Sequence, residues 1–137
     1  MKAILVGVDG SPEAKSAAEF AATLAQSIGA RLVLAFCVAP LAAVDAQSLG
    51  AYLEAETAFG RQVLREMEAR CARPGLAIEP LLVDGDPSGR LASLALEQGV
   101  DIVAVGHRGR GAVRRALLGS VADRLTQISP KPVLVVR

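Results

Sequence analysis

The sequence predicts an open α/β fold: a mostly parallel sheet with helices on both faces. Short β-branched runs alternate with longer stretches whose apolar residues recur at helical spacing. Four of the five strand-like runs are continuously apolar, as strands covered on both faces must be. Proline and glycine punctuate the junctions between them.

The elements follow in order. Lys2–Asp9 (KAILVGVD) is the first buried strand. Ser11-Pro12 is an N-cap followed by proline at the first helical position. Ala14, Ala17, Ala18, Ala21, Leu24, Ala25 and Ile28 carry the helical period, and Gly29 stops it. Arg31–Val38 (RLVLAFCV) is the second strand, and residues 39–46 are a loop. Residues 47–72 are helical, with Leu49, Tyr52, Phe59, Val63, Met67 and Cys71 on one side, up to Pro74-Gly75. Ala77–Val83 is the third strand; Pro80 cannot donate to a ladder, which places this strand at a sheet edge. Asp84-Gly85-Asp86-Pro87 is a turn and a second N-cap with proline, opening a short helix through Leu91, Leu94, Ala95 and Gln98 that Gly99 closes. Asp101–Val105 is the fourth strand, Gly119–Ile128 the last helix and Pro132–Val136 the fifth strand.

Length and composition narrow the function. A chain of 137 residues suits one domain, residues 1–137. With 52% hydrophobic and 21% charged residues, it is expected to be globular and not disordered. No apolar run is long enough for a transmembrane helix, and no cleavage site marks a signal peptide. Cys37 and Cys71 are far apart with no Cys-x-x-Cys, which excludes a disulfide scaffold or zinc ribbon and suits a reducing cytoplasm. Phe20, Phe36, Tyr52 and Phe59 are the only aromatics, too few for a base-stacking nucleic-acid module.

The net charge of +1 hides an asymmetry. Residues 1–69 carry five Lys/Arg against eight Asp/Glu, and residues 70–137 ten against six. Much of the excess lies in Arg108, Arg110, Arg114, Arg115 and Arg124, opposed locally by Asp123. A basic loop on a nearly neutral chain points to a small anionic ligand more than to nucleic acid.

In an open parallel sheet the ligand site lies beyond the carboxyl ends of the strands, where strand order reverses. The most unusual such segment starts at Gly106, passes Gly109 and Gly111 and four arginines, and enters a helix at Gly119-Ser120. Glycine lets backbone N–H groups approach phosphate oxygens, and a helix N-terminus adds free donors and partial positive charge. The other reading of such a loop is a solvated surface segment. Neither a G-x-x-x-x-G-K-[ST] motif nor a G-x-G-x-x-G after the first strand is present.

The spacing Gly106-x2-Gly109-x9-Gly119-Ser120 resembles the G-2x-G-9x-G-(S/T) nucleotide motif of universal stress proteins. Val8-Asp9-Gly10-Ser11, the Gly85-Asp86-Pro87 turn and the ending Pro130–Val136 are similar to other elements of that family, and the resemblance spans the chain. It implies a sheet in order 3-2-1-4-5, the adenine nucleotide α-hydrolase-like, Rossmann-like arrangement, with the switch point between strands one and four. It also implies the ATP-binding subgroup of the family, with ATP and Mg²⁺ as cofactors. Gly106, Gly109, Gly119 and Ser120 would hold phosphates, and Asp9 the ribose or a phosphate-bound Mg²⁺. The backbone near Cys37 and Val38 would meet the adenine edge. Gly10, Ser11, Arg108 and Val121 complete the binding set carried over by position. A homodimer pairing the fifth strands, Val133–Val136, is implied as well, and would cover a short apolar edge.

Each of these residues has a plainer role. Asp9 could be a turn or capping aspartate, Ser11 an N-cap and Ser120 a helix-start residue. Asp84 and Asp86 flank a turn, where capping is the expected role. Cys37 and Cys71 suit core packing. The family often has Ser or Thr where His107 stands, and His107 is the only histidine, with no orienting partner in the sequence to make it a general base. Function therefore reads as an ATP-dependent regulator in stress response with no dedicated catalysis, segment 107–118 being its bistable element. A slow ATPase and a scaffold that binds no nucleotide are the alternatives.

Overall fold

A computed structural model describes residues 1–42, 44–111 and 117–137. Five parallel strands, β1 (Ala3–Gly7), β2 (Arg31–Val38), β3 (Ile78–Asp84), β4 (Ile102–Gly106) and β5 (Val133–Val136), form one sheet. They alternate with α1 (Pro12–Ile28), α2 (Ala46–Cys71), α3 (Pro87–Glu97) and α4 (Ser120–Ile128). The strand order is β3-β2-β1-β4-β5, as the family resemblance implied. Pro80 lies on the edge strand β3, opposite Leu34 of β2, where its missing donor breaks no second ladder.

The sheet divides the core into two layers. On one face Ile4, Val6, Leu32, Leu34 and Phe36 pack against α1 and α2. On the other, Leu5, Val33, Val103 and Val105 pack against Leu91 and Leu94 of α3 and Leu125 of α4. The alternation of side chains along each strand feeds both layers, which is why β1, β4 and β2 beyond Arg31 are apolar. The buried face of α1 is all alanine — Ala14, Ala17, Ala18, Ala21, Ala22 and Ala25 — so this helix lies close against the central strands.

Helix starts follow local chemistry. Ser11 Oγ accepts from Ala14 N–H at 3.2 Å with Pro12 in the first turn, and Asp86 accepts from Gly89 N–H at 3.3 Å ahead of Pro87. Asp45 caps α2 by accepting from Ser48 N–H at 2.8 Å, so the helix begins at Ala46, slightly before the residue-47 start that periodicity suggested. Gly29, at φ +70°, ends α1 in the left-handed conformation that favours glycine.

Asp101 ties the starts of β4 and β1 together. Its Oδ2 accepts from Lys2 N–H at 2.6 Å and Ala3 N–H at 3.0 Å. The Lys2 and then the Ala3 hydrogen bond hold its carboxyl below the ordinary value of 3.8. A group whose folded pKa is depressed contributes stability above its unfolded value, and that contribution is lost as pH falls through the folded one. Asp101→Asn is therefore expected to be less stable than the parent at neutral pH, with the gap closing as pH falls below 3.8. Urea midpoints across that range check this, and a gap independent of pH would contradict it.

Candidate functional site

Beyond the carboxyl ends of β1, β2 and β4 lies a cleft of about 220 Å³. Its floor is Gly7, Val8, Ala35, Val105 and Gly106, and its walls come from Asp9, Cys37, the segment after β4 and the starts of α3 and α4. It opens at the switch point, because β1 pairs with β2 on one side and β4 on the other.

Asp9 organises the base of the cleft. Its Oδ1 accepts from Ser11 N–H at 2.9 Å, and its Oδ2 from Arg110 N–H at 2.7 Å. One carboxylate therefore fixes both the β1–α1 turn and the segment after β4, 101 residues away in sequence. Gly109 approaches it so closely that a Cβ there would lie 2.6 Å from Asp9 Oδ2.

The segment after β4 is closed at its neck. His107 N–H donates to Val136 O at 2.7 Å, and Gly119 N–H to His107 O at 2.6 Å. A Cβ on Gly119 would meet Arg108 Cα at 3.0 Å and His107 O at 3.2 Å, so glycine lets the two strands of the neck touch. Gly106 has a different partner. A Cβ there would lie 2.7 Å from the Glu13 carbonyl carbon and 2.9 Å from its oxygen, so this glycine seats the first turn of α1 on the end of β4.

The N-terminus of α4 faces the cleft through Ser120, Val121 and Ala122. The helices α1, α2 and α3 begin under the side chains of Ser11, Asp45 and Asp86, whereas α4 begins at Gly119 with no side-chain cap. Among the described residues, the N–H groups of Ser120, Val121 and Ala122 at this helix start have no capping side chain.

Of the residues singled out from sequence, Asp9, Cys37, Gly106, Arg108, Gly109, Gly119, Ser120 and Val121 line this cleft. Gly10, Ser11 and Val38 do not. Gly10, at φ +88°, packs under Phe59, where a Cβ would meet Cζ at 2.8 Å. The Ser11 hydroxyl is buried as the α1 cap. Val38 is buried, and its carbonyl accepts from Gly85 N–H at 3.0 Å, which leaves Cys37 and Ala39 to present this strand end to the cleft. Arg114 and Arg115, with the rest of residues 112–116 of the proposed bistable element, lie outside the described residues.

Arg108 Nε donates to His107 Nε2 at 3.1 Å, and its guanidinium lies 3.8 Å from Glu13. His107 Nδ1 is buried and has no hydrogen-bond partner among the described residues. His107 is not among the residues that line the cleft. Asp86 caps α3 and bonds the Ser88 hydroxyl at 2.9 Å, the capping role expected of it. Among the described residues no three of His, Cys, Asp and Glu gather as a metal set.

Sequence reasoning missed the α2 wall. Tyr52 and Glu56, one helical turn apart, both face the cleft. Tyr52 Oη donates to Ala39 O at 3.0 Å, and Glu56 Oε2 accepts from Arg110 Nη2 at 2.7 Å. Tyr52 at helical spacing from Phe59 was a visible signal, but Glu56 among exposed helix charges carried none.

Burial pushes both thiols up, Cys37 and Cys71 each to about 11. The neighbouring Arg90 offsets only part of this for Cys37. Both are expected to react with Ellman's reagent far more slowly than a free cysteine at about pH 8, where an ordinary thiol is partly ionised. After denaturation both should react fully. Rapid native reaction of Cys37 would show that the end of β2 is more open than this packing.

The comparisons with known proteins agree with this geometry. The universal stress protein family model matches residues 1–137. The chain belongs to that family. Among relatives, the universal stress protein YxiE of Bacillus subtilis is 30% identical over 145 residues, spanning 98% of this chain and 97% of that protein. The universal stress protein UspA of Lactobacillus plantarum superposes with a TM-score of 0.88 at 26% identity, covering 99% of this chain and 97% of that one. A universal stress protein solved in complex with cAMP superposes with a TM-score of 0.77 at 30% identity, covering 99% and 97% of the two chains. As a member of the family this chain has the five-stranded parallel sheet with four helices. No described helix is long and apolar enough to cross a membrane.

Proposed function

We propose that this universal stress protein binds ATP with Mg²⁺ in the cleft and acts as a nucleotide-dependent regulator in stress response. The observation that carries the reading is the uncapped N-terminus of α4, aimed into the cleft at the glycine-spaced neck. Gly119 permits the neck, Gly109 leaves room beside Asp9, and the N–H groups of Ser120, Val121 and Ala122 supply phosphate donors with the Ser120 hydroxyl beside them. A relative of known structure holds cAMP, which supports an adenine nucleotide as the ligand class.

The residues fit the group. Each Asp9 oxygen accepts one N–H and keeps a second lone pair, enough to join the coordination of a phosphate-bound Mg²⁺. Cys37 and Ala39 border the cavity where a base would lie. Bound Mg²⁺ would offset phosphate charge against Asp9. Regulation requires that the nucleotide bind two states unequally, and the segment after β4, held to Asp9 through Arg110, is the element we propose to shift. His107 bonds Arg108 outside the cleft lining, and the cleft carboxylates Asp9 and Glu56 are both engaged by Arg110, so we propose no dedicated hydrolase. The free cysteines fit a reducing cytoplasm, and the outer edge of β5 fits the proposed dimer seam. Sedimentation at micromolar concentration tests the dimer; a monomer overturns it.

Mass spectrometry of the nucleotide carried by the purified protein, then calorimetric titration with ATP–Mg²⁺, cAMP and adenosine, tests the reading. Micromolar binding of ATP–Mg²⁺, tighter than of adenosine, is expected. Tighter binding of cAMP would transfer the site to a cyclic nucleotide, and no binding of any of the three would leave the scaffold alternative.

A further inference from the structure

Arg110 reaches from the segment after β4 to α2. Its backbone N–H is held by Asp9 at 2.7 Å, and its guanidinium pairs with Glu56 at 2.7 Å. The guanidinium carbon also sits 4.7 Å from the centroid of the Phe59 ring and 6.0 Å from that of Phe36. Phe59 in turn packs edge-on against Phe36 and covers Gly10. Arg110 and Glu56 both line the cleft, from walls 54 residues apart in sequence. The Glu56 carboxylate end is turned inward, its side chain 18% exposed, while the Arg110 side chain is 45% exposed.

We propose that Arg110 and Glu56 form a clasp across the mouth of the cleft, which a ligand must open to enter. The proposal rests on the assignment of this cleft as the nucleotide site. Three independent contacts hold the arginine: a backbone hydrogen bond, an ion pair and a ring face. The ion pair and the ring contact are both weak enough to break and re-form readily, since each involves a part-exposed group. Opening leaves the guanidinium, a bidentate partner for phosphate oxygens, at the rim of the site. A phosphate-bearing ligand can take the arginine from Glu56, whereas an uncharged nucleoside can only wait for it to open.

The test uses Glu56→Gln and Arg110→Gln in the full chain. The first readout needs no ligand: hydrogen exchange at the Arg110 amide, whose donor bond to Asp9 the clasp protects. Glu56→Gln is expected to speed that exchange up to roughly fivefold, the range that loss of one part-exposed ion pair allows. Unchanged exchange overturns the clasp. The second readout is stopped-flow association of adenosine and of ATP–Mg²⁺. Glu56→Gln should raise the adenosine rate by a similar factor, and Arg110→Gln should raise it while weakening ATP–Mg²⁺ relative to adenosine. Association rates indifferent to both substitutions overturn the gating. If no nucleotide binds the parent protein, the proposed function fails, and the exchange measurement still decides whether the clasp exists.

Discussion

Gly109→Val is expected to lower ATP–Mg²⁺ affinity at least tenfold, which is about 1.4 kcal/mol, while leaving the protein folded. A Cβ at this position would lie 2.6 Å from Asp9 Oδ2, and no such contact is tolerated. The carboxylate must swing away and release the N–H groups of Ser11 or Arg110. The obstruction therefore runs through Asp9 and not only through a side chain lying in the phosphate path. The distinction is measurable. If the clash acts on Asp9, Gly109→Val in an Asp9→Ala background costs little additional stability, so the double-mutant cycle is strongly non-additive. Thermal unfolding of the four variants checks the cycle, and calorimetry checks the affinity. Parent-like ATP affinity in Gly109→Val would remove the glycine motif from the site.

Gly106→Ala is expected to cost about 1–3 kcal/mol of stability, as overpacking does when neighbours cannot yield. The added Cβ meets the Glu13 carbonyl carbon at 2.7 Å and oxygen at 2.9 Å. These are backbone atoms in the first turn of α1, already held by the Ser11 cap, so the whole helix start must move. Urea unfolding at constant m-value measures the loss. Two glycines of one motif should thus separate by readout: position 106 by stability, position 109 by ligand. Parent-like stability of Gly106→Ala would mean that α1 can tilt away from β4 at little cost.

Much of the fold is legible without coordinates because its signals are local. The Ser11-Pro12 and Asp86-Pro87 starts, the Gly29 stop and the apolar β2 run act over a few residues, and each lies where the pattern places it. Pro80 carries information of longer range, since a missing donor is tolerated at an edge and β3 is one. The candidate site is only partly legible. The glycine spacing marks the segment after β4, but it does not say that Gly106 faces Glu13 while Gly109 faces Asp9. Nor does it show that the Val38 carbonyl is taken by Gly85.

By itself, the sequence determined which segments are strands and helices, the edge position of β3, and the family, because periodicity, caps and motif spacing are properties of neighbours along the chain. The tertiary structure alone decided which side chains meet across the cleft. Glu56 and Arg110 are 54 residues apart, and Asp9 and Arg110 are 101 apart. Such pairs depend on how α2 and the segment after β4 are set against the sheet, and no local pattern encodes that distance. The uncapped start of α4 gains its meaning in the same way. A glycine before a helix is unremarkable in a sequence, and becomes a candidate anion site only when the fold brings that uncapped helix start to the cleft.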